Sequence, residues 1–166
     1  MPNLQWSDAL VLGLPQMDDT HREFVELLAQ AENASDDALP GHWRTLVEHT
    51  DDHFSREDRW MLDTRFSSSN CHTVQHKVVL QVMREGLVMA EAGDFTSLRH
   101  MARELALWFP QHAQTMDAAL ALHLRGIGYD PVTGVVGMPQ ALPADVIQGC
   151  GGLGCSPERP VLEPSA

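Results

Sequence analysis

The sequence has little of several residue types that mark large protein classes. Its three cysteines, Cys71, Cys150 and Cys155, are too few for a disulfide scaffold. It has 11 lysines and arginines against 23 acidic residues, and the net charge of −12 argues against nucleic acid or an anionic membrane surface as a partner. No apolar run reaches membrane-spanning length, and the first residues, MPNLQWSDAL, lack the basic and apolar regions of a signal peptide. We therefore expect a cytoplasmic protein that binds neither nucleic acid nor a membrane.

Histidine, by contrast, is abundant, with nine in 166 residues, and three of the nine fall in two short motifs. The first motif is HFSRE, in which His53 and Glu57 are four residues apart. The second is HTVQH, in which His72 and His76 have the same spacing. Residues four apart in an α-helix lie on one face about one turn apart. Each pair is therefore predicted to point at one place.

Helical periodicity predicts four helices after an irregular N-terminal arm of about 15 residues. They are expected over about 17–33, from 36–40 to about 62, over about 71–91 and over about 96–124. The turns between them are short, so neighbouring helices should run antiparallel. The sequence thus predicts an all-α, up-down four-helix bundle whose two motifs face inward from adjacent helices.

The predicted fourth helix carries a spacing that does not suit a regular helix. His112 and Asp117 are five residues apart, and a regular α-helix would place them about 140° from each other. A local π-type widening would bring them into line, and Pro110 removes a backbone donor just before His112. We expect this helix to be distorted between Pro110 and Asp117, whereas an unbroken, straight hydrogen-bond ladder there would contradict the hypothesis.

Together these patterns assign seven inward side chains to one candidate metal site. They are His21, His53, Glu57, His72, His76, His112 and Asp117. Imidazole with carboxylate suits iron, zinc, copper or manganese, and two carboxylates that can bridge favour a pair of ions over one. A single zinc ion would need only four ligands.

The order His, HxxxE, HxxxH, HxxxxD across four helices resembles hemerythrin, most closely its bacterial single-domain form. The resemblance covers roughly residues 4–130. It implies two iron ions joined by an oxo or hydroxo bridge and by Glu57 and Asp117. It further implies that His72, His76 and His112 complete one iron and that His21 and His53 hold the other, which keeps one position open for dioxygen.

The function implied by the resemblance is reversible dioxygen binding for storage, delivery or sensing, by a non-enzymatic protein that we expect to be a monomer. Two alternatives stay open: a di-iron redox enzyme that scavenges peroxide or nitric oxide, and an iron-handling metal-binding protein. The sequence has no Glu-x-x-His pair of the ferritin-like oxidase kind, and its only tyrosine, Tyr129, lies outside the motifs, which counts against the enzyme.

Other residues near the motifs receive weaker predictions. Trp108, one turn before His112, is expected to line the site, to pack in the core, or both, with Phe24, Val25 and Met61 as further lining candidates. His49 is predicted to have a structural role or to contact a ligand rather than bind the metal. The remaining histidines fit no ligand position and are expected at the surface, namely His42, His100 and His123.

The C-terminal part of the chain differs in composition, being rich in glycine and proline without a helical period. We assign residues 1–130 to the bundle and 131–166 to an irregular or disordered tail, with GYDPVTG as a turn that packs on the bundle end. Cys150 and Cys155, five apart in the tail, are candidates for a small disulfide, a metal site or no role. Cys71 is interpreted as an ordinary thiol.

Overall fold

A computed structural model describes residues 4–66 and 71–147. The helices are α1 (Pro15–Asn33), α2 (Leu39–Asp63), α3 (Cys71–Glu91), α4 (Phe95–His112) and α5 (Ala118–Gly126), with a π-helical segment at Ala113–Asp117 between the last two. Because α4, the π segment and α5 follow one another without a break, they form one continuous rod, which is the fourth helix of the bundle. No strand occurs in the described ranges, so the predicted all-α four-helix bundle is confirmed.

The start of α1 is fixed by its own first turn. Pro15 occupies the first helical position, where a missing backbone donor costs nothing. The buried carboxylate of Asp18 accepts hydrogen bonds from the backbone N–H groups of Leu12 and Gly13, at 2.7 and 3.0 Å. The N-terminal arm is thereby held against the bundle, and the orientation of α1 is set.

One close contact between α2 and α3 involves a tryptophan and a glycine. Trp43 is fully buried, and its indole N–H donates to the Met83 backbone carbonyl across the interface at 2.8 Å. A Cβ built on Gly86 would lie 2.8 Å from the indole nitrogen, so only glycine lets the ring approach this closely. The two inward motifs sit on these two helices.

The rod formed by α4 and α5 begins with a capped end and is distorted where predicted. Asp94 accepts from the Ser97 backbone N–H at 3.1 Å, which caps α4. Pro110 lies inside α4, and the π-helical turn follows directly after His112 and ends at Asp117. The expected distortion is confirmed, and its extent matches the five-residue spacing.

The core consists of two apolar clusters with polar residues between them. The first cluster, which includes Phe24, Trp43 and Phe109, extends to the end of the bundle where α1 ends and α2 begins, and the second lies towards the end where α5 finishes. On α1, for example, His21 lies between Met17 of the second cluster and Phe24 of the first. On the α4–α5 rod, Asp117 lies between residues of the two clusters in the same way.

The segment after α5 folds back over the end of α2. Tyr129 is buried and forms an isolated bridge with Val136, as expected for a turn packed on the bundle end. Further along, the Ile147 backbone N–H donates to the Arg65 carbonyl at 2.9 Å, and the Arg65 guanidinium donates to the Pro143 carbonyl at 3.0 Å. Residues 131–147 are therefore largely irregular and are half-buried or exposed, but these hydrogen bonds attach them to the end of the bundle. The division at residue 130 stays a prediction, and Cys150 and Cys155 lie outside the described residues.

Candidate metal centre

The structure brings all seven predicted side chains into one buried cluster. His21 comes from α1, His53 and Glu57 from α2, His72 and His76 from α3, and His112 and Asp117 from the ends of α4 and the π segment. None is more than 2% exposed. So many polar groups at this depth need partners that offset their lost hydration.

Donor atoms in this cluster fall into two groups that share both carboxylates. The three-histidine pocket contains His72, His76, His112, Glu57 and Asp117. The two-histidine pocket contains His21, His53, Glu57 and Asp117. Within each pocket the donor atoms lie within 4.8 Å of one another, which is the spacing expected around a single ion.

Glu57 presents one oxygen to each pocket. Its Oε1 lies 3.0 Å from His53 Nε2 and 3.7 Å from His21 Nε2. Its Oε2 lies 3.5 Å from His72 Nε2 and 3.4 Å from His76 Nε2. This is the arrangement of a carboxylate that spans two ions.

Asp117 is oriented in the same way. Its Oδ2 faces His21 Nε2 at 3.2 Å, and its Oδ1 faces His72 Nε2 at 2.9 Å and His112 Nε2 at 3.1 Å. The π-helical turn makes this possible because it brings residues five apart into line.

Several of these atoms, although close to one another, form no hydrogen bond with any of the described residues. They include Nε2 of His21 and His72, Oε2 of Glu57 and both carboxylate oxygens of Asp117. Buried polar atoms without partners are rare in folded proteins, and a bound cation satisfies nitrogen lone pairs and carboxylate oxygens together. The residues present therefore fit a pair of divalent cations.

Charge in the metal-free cluster is balanced by protons. Burial alone would lower the pKa of His21 and His72, but the Asp117 and Glu57 carboxylates outweigh burial and raise these values to about 9 and about 10. Burial would raise the pKa of Glu57, yet His53, His21 and His72 hold it well below its usual range. At neutral pH two carboxylates thus face two protonated imidazoles.

Aromatic rings cover the cluster on several sides. Phe54 stacks on the His76 imidazole with ring centroids 4.0 Å apart, and Phe109 meets the His21 ring edge-on at 5.2 Å. Trp108 stacks on His112 at 4.5 Å and packs, partly buried, against the first apolar cluster, and it also lines an apolar cleft of about 270 Å³ between α3 and α4. Sequence reasoning missed Phe54 and Phe109, although each lies three residues before a candidate ligand in its helix.

Of the earlier lining candidates, Phe24 stacks on Phe109 and so supports the wall of the cluster from behind. Val25 belongs to the first apolar cluster and Met61 to the second.

The remaining histidines lie outside both pockets. His49 is half-buried, its Nε2 lies 3.2 Å from the Thr20 carbonyl oxygen, and its ring centroid is 6.2 Å from that of His53. This agrees with a structural role beside a candidate ligand. His100 is exposed, and His42 is partly buried.

His123 is less exposed than predicted. It is half-buried, where its Nε2 lies 3.1 Å from the Thr64 carbonyl oxygen and its ring packs on Phe66 at 4.9 Å. It joins α5 to the end of α2, a tertiary contact that its sequence position does not reveal.

Two polar residues beside the motifs were also missed. The Asp58 carboxylate lies 2.8 Å from His76 Nδ1, and the Gln75 amide oxygen lies 3.2 Å from His112 Nδ1. Each is the chain neighbour of a predicted ligand. Only the tertiary structure shows that each instead supports a histidine of another helix.

The interpretation of Cys71 as an ordinary thiol is wrong. Cys71 is the first residue of α3, is half-buried and is disulfide-bonded. Its position on the helix gives no indication of this bond, because a disulfide depends on which other cysteine approaches it in space.

A buried set of imidazoles and carboxylates, held between four helices with two carboxylates shared by two pockets, defines a metal-binding helical-bundle protein. No helix in the described part of the chain is long and apolar enough to cross a membrane. Residues 12–122 match the model of the hemerythrin HHE cation binding domain. The chain belongs to the hemerythrin family.

Individual relatives agree with this assignment. The chain is similar to a bacteriohemerythrin of Ralstonia nicotianae, with 35% identity over 130 residues that cover 78% of this chain and 95% of the relative. A bacteriohemerythrin of Stenotrophomonas maltophilia is 28% identical over 73% of this chain and 81% of its own length. One from Pseudomonas aeruginosa is 26% identical over 71% and 79%. No solved structure matches the chain significantly.

Proposed function

We propose that this chain binds dioxygen reversibly at a di-iron centre. The ligands would be His72, His76 and His112 for one iron, His21 and His53 for the other, and Glu57 and Asp117 for both. The observation that carries the proposal is the unequal pair of pockets, which share both carboxylates but offer five protein donors on one side and four on the other.

The inequality determines which pocket receives an external ligand. The three-histidine pocket has one protein donor more than the two-histidine pocket. An ion beside His21 and His53 therefore has the more room for dioxygen, while the other pocket serves to anchor its ion. When bound, a pair of ferrous ions supplies the two electrons that dioxygen binding requires.

The chain's own contribution is to keep water and anions out. His21 is fully buried, and Phe109 packs against it edge-on with Phe24 stacked behind. An apolar wall of this kind lowers the local dielectric and limits solvent access, which protects a reduced metal site from oxidation. Binding of this type asks no side chain to act as acid or base, and we therefore propose binding rather than catalysis.

The test is anaerobic reduction of the iron-loaded protein, exposure to air and then removal of the gas, followed by visible absorption. We expect an absorption change that reverses on degassing, with two irons per chain retained throughout. His53→Gln should abolish the reversible change, whereas His100→Gln, at an exposed histidine, should leave it intact. Immediate and irreversible oxidation would refute the proposal and favour a redox enzyme that scavenges peroxide or nitric oxide.

The biological use of the bound gas, whether storage, delivery or sensing, stays a prediction at the level of the class. A monomeric state and a cytoplasmic location are likewise predictions. Size-exclusion chromatography with light scattering and fractionation of cells test them directly. Retention of iron without any response to dioxygen would instead favour the iron-handling alternative.

A further inference from the structure

We infer that Asp58 and Gln75 are positioning residues that make the three-histidine pocket the first and tighter site of metal loading. The inference rests on the proposed two-ion site but not on dioxygen binding. It follows from an unequal distribution of hydrogen-bond partners behind the five histidines.

Behind the three-histidine pocket, two of the three rings are held from the rear. A carboxylate only accepts hydrogen bonds, so Asp58 at 2.8 Å places a proton on His76 Nδ1. Gln75 Oε1, at 3.2 Å, does the same for His112 Nδ1. In both rings Nε2 is the atom that faces the cluster, where the two Nε2 atoms lie 3.2 Å apart.

The two-histidine pocket has no such support in the described part of the chain. Nδ1 of His21 and Nδ1 of His53 are both buried without a hydrogen-bond partner there. Besides the carboxylates that face their Nε2 atoms, their rings contact Phe109 for His21 and Phe54 for His53. Among the described residues, no acceptor at Nδ1 sets the tautomer or the basicity of these ligands.

This difference affects affinity in two ways. A hydrogen bond to Nδ1–H fixes the tautomer and the ring orientation before the metal arrives, and a carboxylate acceptor also makes Nε2 a more basic ligand. Within residues 4–66 and 71–147, a carboxylate in this position occurs at the three-histidine pocket alone, and this pocket also has one protein donor more. Both factors favour the same pocket, so an ion should enter it first and leave it last.

Two substitutions separate the contributions of charge and hydrogen bonding. Asp58→Ala removes the acceptor and its charge, whereas Asp58→Asn removes the charge but retains an oxygen acceptor. Gln75→Leu tests the second support independently. The matched control is Asp51→Asn, because Asp51 also joins α2 to α3, through Arg84 at 2.7 Å, but contacts no ligand.

The measurement is anaerobic titration of each metal-free protein with Co²⁺ in competition with a chelator of known affinity, followed by visible absorption. The wild type should bind two ions in two steps. Asp58→Ala should weaken the first step by about 10- to 100-fold and change the second far less, because loss of such supporting contacts typically has this effect on metal affinity. Asp58→Asn should fall between Asp58→Ala and the wild type, and Asp51→Asn should match the wild type.

The inference is overturned if Asp58→Ala and Gln75→Leu leave the first step unchanged, or if they weaken the second step more than the first. Circular dichroism of the metal-free variants shows whether each is folded, and if Asp58→Ala is not, Gln75→Leu decides by the same criterion. A protein that loads Co²⁺ in this order but never binds dioxygen reversibly would refute the proposed function and leave this inference standing. Failure of the wild type to bind Co²⁺ would refute both.

Discussion

Metal loading should release protons, and their number follows from the protonated histidines of the metal-free cluster. At pH 7.5 His21, with a pKa of about 9, and His72, with a pKa of about 10, are both almost fully protonated in the metal-free protein. A metal ion binds only neutral imidazole, so filling both pockets must displace these two protons. We expect the release of at least two protons per chain.

The apparent metal affinity should therefore rise with pH. Apparent metal affinity gains about tenfold per pH unit for each proton displaced, and the two histidines together give about 100-fold per unit between pH 7 and 9. The dependence weakens from about pH 9, as His21 loses its proton, and flattens only once the pH is well above about 10, the pKa of His72. The stability of the metal-free protein should instead fall as the pH rises. Because these pKa values are raised on folding, their contribution is fully present below about pH 6.5 and is lost as the pH rises through 9 to 10.

Calorimetric titration with Zn²⁺ in buffers of different ionisation enthalpy measures the proton count directly. The control is His49→Gln: burial lowers the pKa of His49, so this residue is already neutral at pH 7.5 and should not change the count. Release of fewer than one proton per chain at pH 7.5, with both pockets filled, would show that the carboxylates do not hold two imidazoles in the charged form.

Three further results are expected. Gly86→Ala should destabilise the metal-free protein by about 1–3 kcal/mol in urea unfolding, because its Cβ would lie 2.8 Å from the Trp43 indole nitrogen. The control Gly41→Ala should be neutral or slightly stabilising, since nothing lies within 4 Å of a Cβ built there. Phe54→Ala should cost about 3–5 kcal/mol in the same assay, since it empties a buried ring site beside the cluster; a loss below about 1 kcal/mol would mean that the site collapses to fill the space. Burial lowers the pKa of His49, so its contribution to the stability of the fold is present above pH 6.5 and is lost as the pH falls. His49→Gln should therefore flatten the decline in melting temperature below that pH.

Sequence periodicity was sufficient for the bundle and for the convergence of the ligand candidates. Helical spacing places His53 with Glu57 and His72 with His76, and the five-residue step from His112 to Asp117 predicted a distortion that the structure confirms. These features are local, because they depend on residues within one or two turns of the same helix.

The supporting contacts could not be predicted because they join distant parts of the chain. Asp58 reaches His76 from another helix, and His123 reaches Thr64 across the bundle end. The disulfide of Cys71 and the hydrogen bonds of Arg65 with Pro143 and Ile147 are equally non-local. No periodicity records such pairings, since each depends on how separate elements dock.

The π-helical turn also sets the phase of everything that follows it. One additional residue in a helical turn rotates all later side chains by about 100° relative to an unbroken α-helix. Leu120 and Leu124 are fully buried in this rotated frame, so the second apolar cluster is built in register with the insertion. If the same residues formed a regular α-helix, Asp117 and the whole of α5 would be rotated by about 100° away from their partners, whereas losing one residue, such as Gln114, together with the widening would keep them in register. The widened turn is thus part of the site.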